Sequence, residues 1–255
     1  MAVDFFARFN LHNSICQEPI CVQILRPFLN MSDEDIHAMI CEMEEIQDSR
    51  AERLRKKYPS QTNALMRKKV LFLGDSITSD NLGYREAVTR AAKLQAIDGS
   101  VSGGTSSVIL HTAKMLIEEQ KPDIVSLMIG SNDSVSVAHK ELSQVSIAEY
   151  ERNVGEMVRW AKQSGAKVLF FEIPPVVEEW FEKSFSEQSK MQSNQTIAAY
   201  NGILKKIADE NEIELQRNRW LSEDIGFYEP DGIHLSVSGQ ERFAEKWLEA
   251  AAKTV

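Results

Sequence analysis

From Lys68 to the C-terminus the chain alternates short apolar runs with longer stretches of helical periodicity, and this alternation constrains the fold more than any other feature. The strand candidates are Val70–Leu73, Leu94–Ile97, Ile124–Ile129, Lys167–Phe171 and Ile213–Leu215. Helical patterns fall near Tyr84–Ala92, Ser107–Glu119, Ile147–Ser164 and Ser193–Glu210, and Gln240–Ala252 closes the chain. Short apolar strands separated by helices must be covered on both faces, so the pattern predicts a parallel sheet between two helical layers. Right-handed crossovers then place the C-terminal ends of the strands along one edge, where such folds bind ligands. The segments leaving those strands are polar and contain glycine. Ser76 follows the first strand, Gly103 lies beyond the second, Asn132 follows the third and His234 precedes the last helix. Four distant positions can thus converge on one edge.

Up to about residue 66 the pattern is helical instead. Ser32 with Asp35 resembles an N-cap and an acidic first turn, and Ile36, Met39, Ile40, Met43 and Ile46 follow at helical spacing. This helix is expected to reach about Lys57 and stop before Pro59. Shorter helical pieces are expected around Phe5–Phe9 and Val22–Phe28. The expected division is a helical extension over 1–66 and an α/β domain over 67–255. The extension is read as a cover for apolar surface of the larger domain. A homo-oligomer contact and a restriction on substrate access are its alternatives.

The 255 residues, 43% hydrophobic and 26% charged, suffice for one large core. A net charge of -9 argues against a nucleic-acid partner, which would need a positive field. Two local basic clusters, Arg53 to Lys57 and Arg67 to Lys69, read as a solvated helix end and the approach to a buried strand. No run of about 18 apolar residues occurs, so no membrane span is expected. The opening MAVDFFARFNLHN does not read as a secretory signal, which makes the cytoplasm the expected location. Cys16, Cys21 and Cys41 are odd in number and form no CxxC pair, so they read as structural thiols rather than a disulfide framework or a zinc site.

Chemistry concentrates in four segments. In Gly74-Asp75-Ser76-Ile77-Thr78 an apolar strand runs through a glycine into a serine before a helical stretch, a turn that can present a hydroxyl beside backbone N–H groups suited to an oxyanion. A plain helix cap is the alternative. GxSxG is absent because Thr78 stands at the second glycine position, and neither a Walker loop nor GxGxxG is present. Asp98 to Thr105 contains Gly103 and Gly104. A glycine there either lets an N–H approach a reacting centre or serves a turn with positive φ, and the turn is the preferred reading for Gly104. In Gly130-Ser131-Asn132-Asp133 the Asn amide can donate to an oxyanion, or the segment is simply a turn. In Asp231-Gly232-Ile233-His234 a carboxylate three residues before a histidine can meet Nδ1 while Nε2 faces a serine. His12, His37, His111 and His139 lack that arrangement. Pro174–Phe185, with Trp180, Phe181 and Phe185, is read either as an acyl-pocket wall or lid, or as packing against a neighbouring helix or subunit.

In order and approximate spacing, GDSIT, SGGT, GSND and DGIH together resemble the conserved blocks of the SGNH/GDSL hydrolase family across about residues 68–252. The resemblance implies a flavodoxin-like three-layer α/β/α fold with a five-stranded parallel sheet, needing no metal or organic cofactor. It implies that Ser76 is the nucleophile, His234 the general acid–base and Asp231 its orienter. The oxyanion hole would then comprise the backbone N–H of Ser76, Gly103 and Asn132. Asp75 and Asp133 are expected to hold loops. The implied activity is hydrolysis of a small-molecule ester, such as a short-chain acyl or acetyl ester of a sugar, aryl alcohol or lipid, through an acyl-serine. Acyl transfer to another alcohol on the same residues is an alternative, and a binding protein retaining the scaffold is a weaker one. Ile77 stands where the family name has Leu, Asp98 where members often carry Asn, and the N-terminal segment lies outside the minimal family domain.

Overall fold

Alternate residues of the strand Lys69–Gly74 face opposite ways, and each set meets its own helical layer. The computed structural model describes residue 8 and residues 29–137, 142–185 and 190–255. The strands are β1 Lys69–Gly74, β2 Gln95–Asp98, β3 Ile124–Met128, β4 Ser136–Val137, β5 Leu142–Ser143, β6 Lys167–Phe171 and β7 Leu215–Gln216. The helices are α1 Asp33–Lys57, α2 Pro59–Ala64, α3 Ser76–Ser79, α4 Tyr84–Ala92, α5 Ser106–Gln120, α6 Ile147–Gln163, α7 Glu178–Phe185, α8 Asn194–Glu210 and α9 Val237–Ala251. Five strands form one parallel sheet in the order β2-β1-β3-β6-β7, and β4 pairs with β5 in a separate antiparallel hairpin. The stretches expected at Phe5–Phe9 and Val22–Phe28 lie outside the described residues, Arg8 apart, as do Cys16 and Cys21.

Val70 and Phe72 of β1 pack with Leu54 of α1, Ala87 and Val88 of α4, and Phe243 and Trp247 of α9. Leu71 and Leu73 pack with Ile109 and Ala113 of α5, Val154 and Val158 of α6, and Leu204 of α8. The expected three-layer α/β architecture is therefore observed. One polar group interrupts the first face. Ser126 of β3 is buried, and its Oγ accepts a hydrogen bond from Trp247 Nε1 at 2.9 Å while that indole stacks on Phe72.

Two element ends differ from expectation for local reasons. The last strand starts at Leu215 because the turn after α8 continues through Glu212, at φ 56°, and Ile213 still donates to Ala208 O. Helix α9 begins three residues early because Ser236 caps it, accepting from Gly239 N at 3.2 Å.

Ser32 caps α1, with Asp33, Glu34 and Asp35 in its first turn and Arg55, Lys56 and Lys57 in its last, in keeping with the helix dipole. Ile36, Met39 and Met43 enclose Leu82, while Ala51 and Leu54 enter the core shared with α4 and α9. No helix among the described residues is long and apolar enough to cross a membrane. Because Leu54 is 1% exposed within that shared core, Leu54→Ala should cost about 2–5 kcal/mol in urea unfolding. An unchanged midpoint would show that α1 does not contribute to the stability of the sheet domain.

Candidate active site

Strand β1 ends at Gly74, Asp75 takes extended geometry, and Ser76 opens α3. The Asp75 carboxylate caps that short helix by accepting from Ile77 N at 3.1 Å. Ser76 consequently occupies the first helical position, where backbone N–H groups have no acceptor within the helix. On the other side of the site, Tyr228 and Leu235 form an antiparallel bridge, and Glu229 N donates to His234 O at 2.8 Å. Within this loop Asp231 Oδ1 accepts from the backbone N–H of Ile233 and of His234, both at 3.0 Å. Its second oxygen lies 2.6 Å from His234 Nδ1, and His234 Nε2 lies 2.8 Å from Ser76 Oγ. The structure thus brings the three residues into one hydrogen-bonded line.

The Asp231 carboxylate is partly buried, which alone would raise its pKa. The hydrogen bond and charge of His234 outweigh burial and hold it below the ordinary carboxylate range. It is therefore ionised at neutral pH and can stabilise a positive imidazole. With its backbone bonds to Oδ1, the carboxylate also fixes the ring, leaving Nε2 toward the serine.

The glycine and asparagine segments adjoin Ser76 through the sheet. Gly74 pairs in register with Met128, and Val101 N donates to Gly74 O at 3.0 Å. Asn132 donates from Nδ2 to Gly104 O at 3.0 Å, joining the two segments directly. Behind them the buried Asp133 accepts from Ser106 N at 3.0 Å and from Ser106 Oγ at 2.5 Å. Burial raises its carboxyl in spite of these bonds. Asp75 and Asp133 both hold loops in this geometry. The glycine reading needs one correction: the positive φ belongs to Gly103, at 71°, and not to Gly104. Gly104 is confined by close approach instead, since an added Cβ would lie 2.8 Å from Val101 O.

The aromatic segment Pro174–Phe185 leads into α7 at Glu178 and braces the histidine loop. Val177 N donates to Gly232 O at 2.9 Å, Tyr228 Oη donates to Pro175 O at 2.8 Å, and Phe181 is buried against the core of α6 and α8. Gly232 has a φ of 75°, and a Cβ there would come within 2.5 Å of Val177 O. Packing against a neighbouring element is therefore the observed role of Phe181.

Sequence reasoning missed Arg8, Asp80 and Gln240. Gln240 of α9 donates to Ile77 O at 3.1 Å and to Asp80 Oδ2 at 3.0 Å, and accepts from Tyr84 N at 2.9 Å. A cavity of about 480 Å3 lies farther along the same edge, lined by Glu172, Asn201, Arg217 and Asn218 among others, and includes none of the three aligned residues. Among the described residues no group of three or more His, Cys, Asp or Glu side chains is placed to hold a metal ion.

Burial pushes the Asp75 carboxyl up to about 6, against the bonds from Ile77 and Ser131 and the charge of His234. Its folded pKa exceeds its unfolded one, so between about pH 4 and 6 the folded state holds more protons, and this group's contribution to stability falls as pH rises. Asp75→Asn keeps an acceptor for Ile77 without the charge. The variant should gain on the parent above pH 6 relative to pH 4, by at most about 3 kcal/mol in chemical unfolding. A stability difference that is flat across that range would refute the protonation change.

A family model described as GDSL-like Lipase/Acylhydrolase family matches residues 72–242. Esterase TesA of Pseudomonas aeruginosa is 25% identical over 190 residues, covering 69% of this chain and 84% of its own. The acetylxylan esterase of Geobacillus stearothermophilus is 25% identical over 210 residues, covering 71% and 92%. The human isoamyl acetate-hydrolyzing esterase 1 homolog is 24% identical over 203 residues, covering 72% and 82%. Among solved structures, TesA superposes with a TM-score of 0.57 at 24% identity, covering 73% of this chain and 99% of its own. A lipase/acylhydrolase from Enterococcus faecalis gives 0.57 at 18%, covering 72% and 96%.

Proposed function

The chain belongs to the GDSL-like lipase/acylhydrolase family of ester-cleaving hydrolases, and we propose that it cleaves short-chain acyl or acetyl esters through an acyl intermediate on Ser76. The observation that carries this reading is the unbroken line Asp231 Oδ2–His234 Nδ1 and His234 Nε2–Ser76 Oγ, at 2.6 and 2.8 Å.

In this mechanism His234 Nε2 takes the Ser76 hydroxyl proton as Oγ attacks the carbonyl carbon. The tetrahedral intermediate collapses, the alcohol leaves with the proton held by His234, and the acyl group stays on Ser76. Water then loses a proton to the same nitrogen and attacks the acyl carbon. Breaking the Ser76 Oγ–acyl bond releases the acid and restores the hydroxyl. Asp231, kept ionised, stabilises the imidazolium of each half-reaction. The N–H groups of Ser76 and Gly103 and the amide of Asn132 are the proposed oxyanion donors. Asn132 suits this role because an amide carries two N–H bonds and Gly104 O accepts from one side of it.

Two of the relatives above are named for acetyl esters, which supports a small acyl group. An exposed thiol at Cys41 fits a reducing compartment and so supports a cytoplasmic location.

Ser76→Ala should keep the unfolding curve of the parent and abolish hydrolysis of short aryl esters and labelling by a serine-directed fluorophosphonate. Retained turnover would remove Ser76 from the mechanism. Asp231→Asn should lower kcat by about 10²–10⁴-fold, since it disturbs the base and leaves the nucleophile in place. An unaltered kcat would discard the orienting role. A panel of acetylated sugars, aryl esters, lysophospholipids and thioesters, with products analysed in the presence of alcohol acceptors, separates hydrolysis from acyl transfer.

A further inference from the structure

We infer that Arg8 is a positioning residue for the Ser76–His234 pair, binding together from behind the two loops that carry them. This rests on the reading of Ser76 and His234 given above. Arg8 precedes the span matched by the family model, yet it is only 5% exposed. Its Nε donates to Asp80 Oδ1 at 2.8 Å and its Nη2 to Asp80 Oδ2 at 2.7 Å. Nη2 also donates to Leu235 O at 2.7 Å, and Nη1 donates to the Glu229 carboxylate. Its own carbonyl accepts from Asn81 N at 3.0 Å and Asn81 Nδ2 at 2.9 Å.

All of these contacts fall on two short segments. Asp80 terminates α3, and its N–H donates to Ser76 O at 3.0 Å. Leu235 follows His234 directly, and Glu229 is tied to His234 O. One guanidinium therefore joins the end of the nucleophile's helix to both flanks of the base's loop. A planar fork with five donors can do this where a lysine ammonium cannot. The Asp80 carboxylate it grips is fully buried and is further held by Gln240 Nε2 and by Leu82 N.

The long helix α1 steadies the same loop. Gln47 Nε2 donates to Asn81 O at 2.8 Å and Gly83 O at 3.2 Å, and Arg50 Nη1 donates to Leu82 O at 2.5 Å. These contacts reach only the serine side, whereas Arg8 reaches both. If the 2.8 Å Ser76–His234 contact depends on the spacing of the two loops, freeing one from the other disturbs the reacting pair and not the substrate's binding surface.

The test is Arg8→Ala in the full chain, read by thermal unfolding, by kcat and KM on a short aryl ester, and by amide hydrogen exchange. In the folded variant kcat should fall about 100-fold while KM stays within about threefold, as expected for misplacement of a catalytic pair by roughly 1 Å. Guanidinium at tens of millimolar should restore part of kcat, and equal sodium chloride should not. Arg8→Lys, which keeps charge but not the fork, should fall between the two. Exchange should quicken in Ser76–Gly83 and Tyr228–Ser236 together. If Arg8→Ala does not fold, Arg8→Gln with Asp80→Asn, which removes both buried charges, decides in its place. A folded variant with parental kcat, or one whose loss lies entirely in KM, overturns the inference. If the parent itself neither hydrolyses esters nor takes a fluorophosphonate at Ser76, the esterase reading has failed instead. Exchange then judges the strap alone, and loosening confined to one segment refutes it.

Discussion

The hydrogen bond from Ser76 to His234 spans 158 residues of chain, and the geometry of the site depends on what keeps its two ends at 2.8 Å. A parallel sheet solves half of the problem. Each strand must return over a face before the next begins, so every loop leaving a strand's C-terminal end emerges on the same edge. The other half is orientation, supplied by polar contacts that are local on one side and distant on the other. Asp75 sets the start of α3, Asp231 sets the imidazole, Gln240 holds the serine segment from α9, and Arg8 joins the two loops.

The carboxylates around the site differ in how readily they take a proton because their surroundings differ. Asp231 faces an imidazole and two backbone donors and is held below its ordinary range, whereas Asp75 has one backbone donor, a serine and deep burial, and is pushed up. Asp133 is likewise pushed up by burial, and its role is to hold the Ser106 turn. A carboxylate near this site is thus a charge partner or a loop fastener according to what donates to it.

Much of this was legible in the sequence because the signals are local. Strand β1 and helix α4 are continuous apolar or periodic runs, and Asp231 and His234 are three residues apart, within reach of one turn. Where local signals compete, the reading slipped. Ile213 is apolar but belongs to the turn that ends α8, and Ser236 starts α9 earlier than its apolar stripe suggests. The positive φ fell on Gly103, because adjacent glycines offer no sequence cue to which one bends. Arg8 was not legible at all. Its partners lie 72 to 227 residues away, and no local pattern around an arginine in the sequence points to contacts that distant.

The contact between Gly232 and α7 has a mechanical meaning. With Val177 O only 2.5 Å from where a methyl at position 232 would sit, and with Val177 N bonded to Gly232 O, the histidine loop and the segment leading into the aromatic helix are in direct backbone contact. A displacement of α7 therefore travels through two backbone atoms to the imidazole. A shift of that helix is felt first in the loop that carries His234.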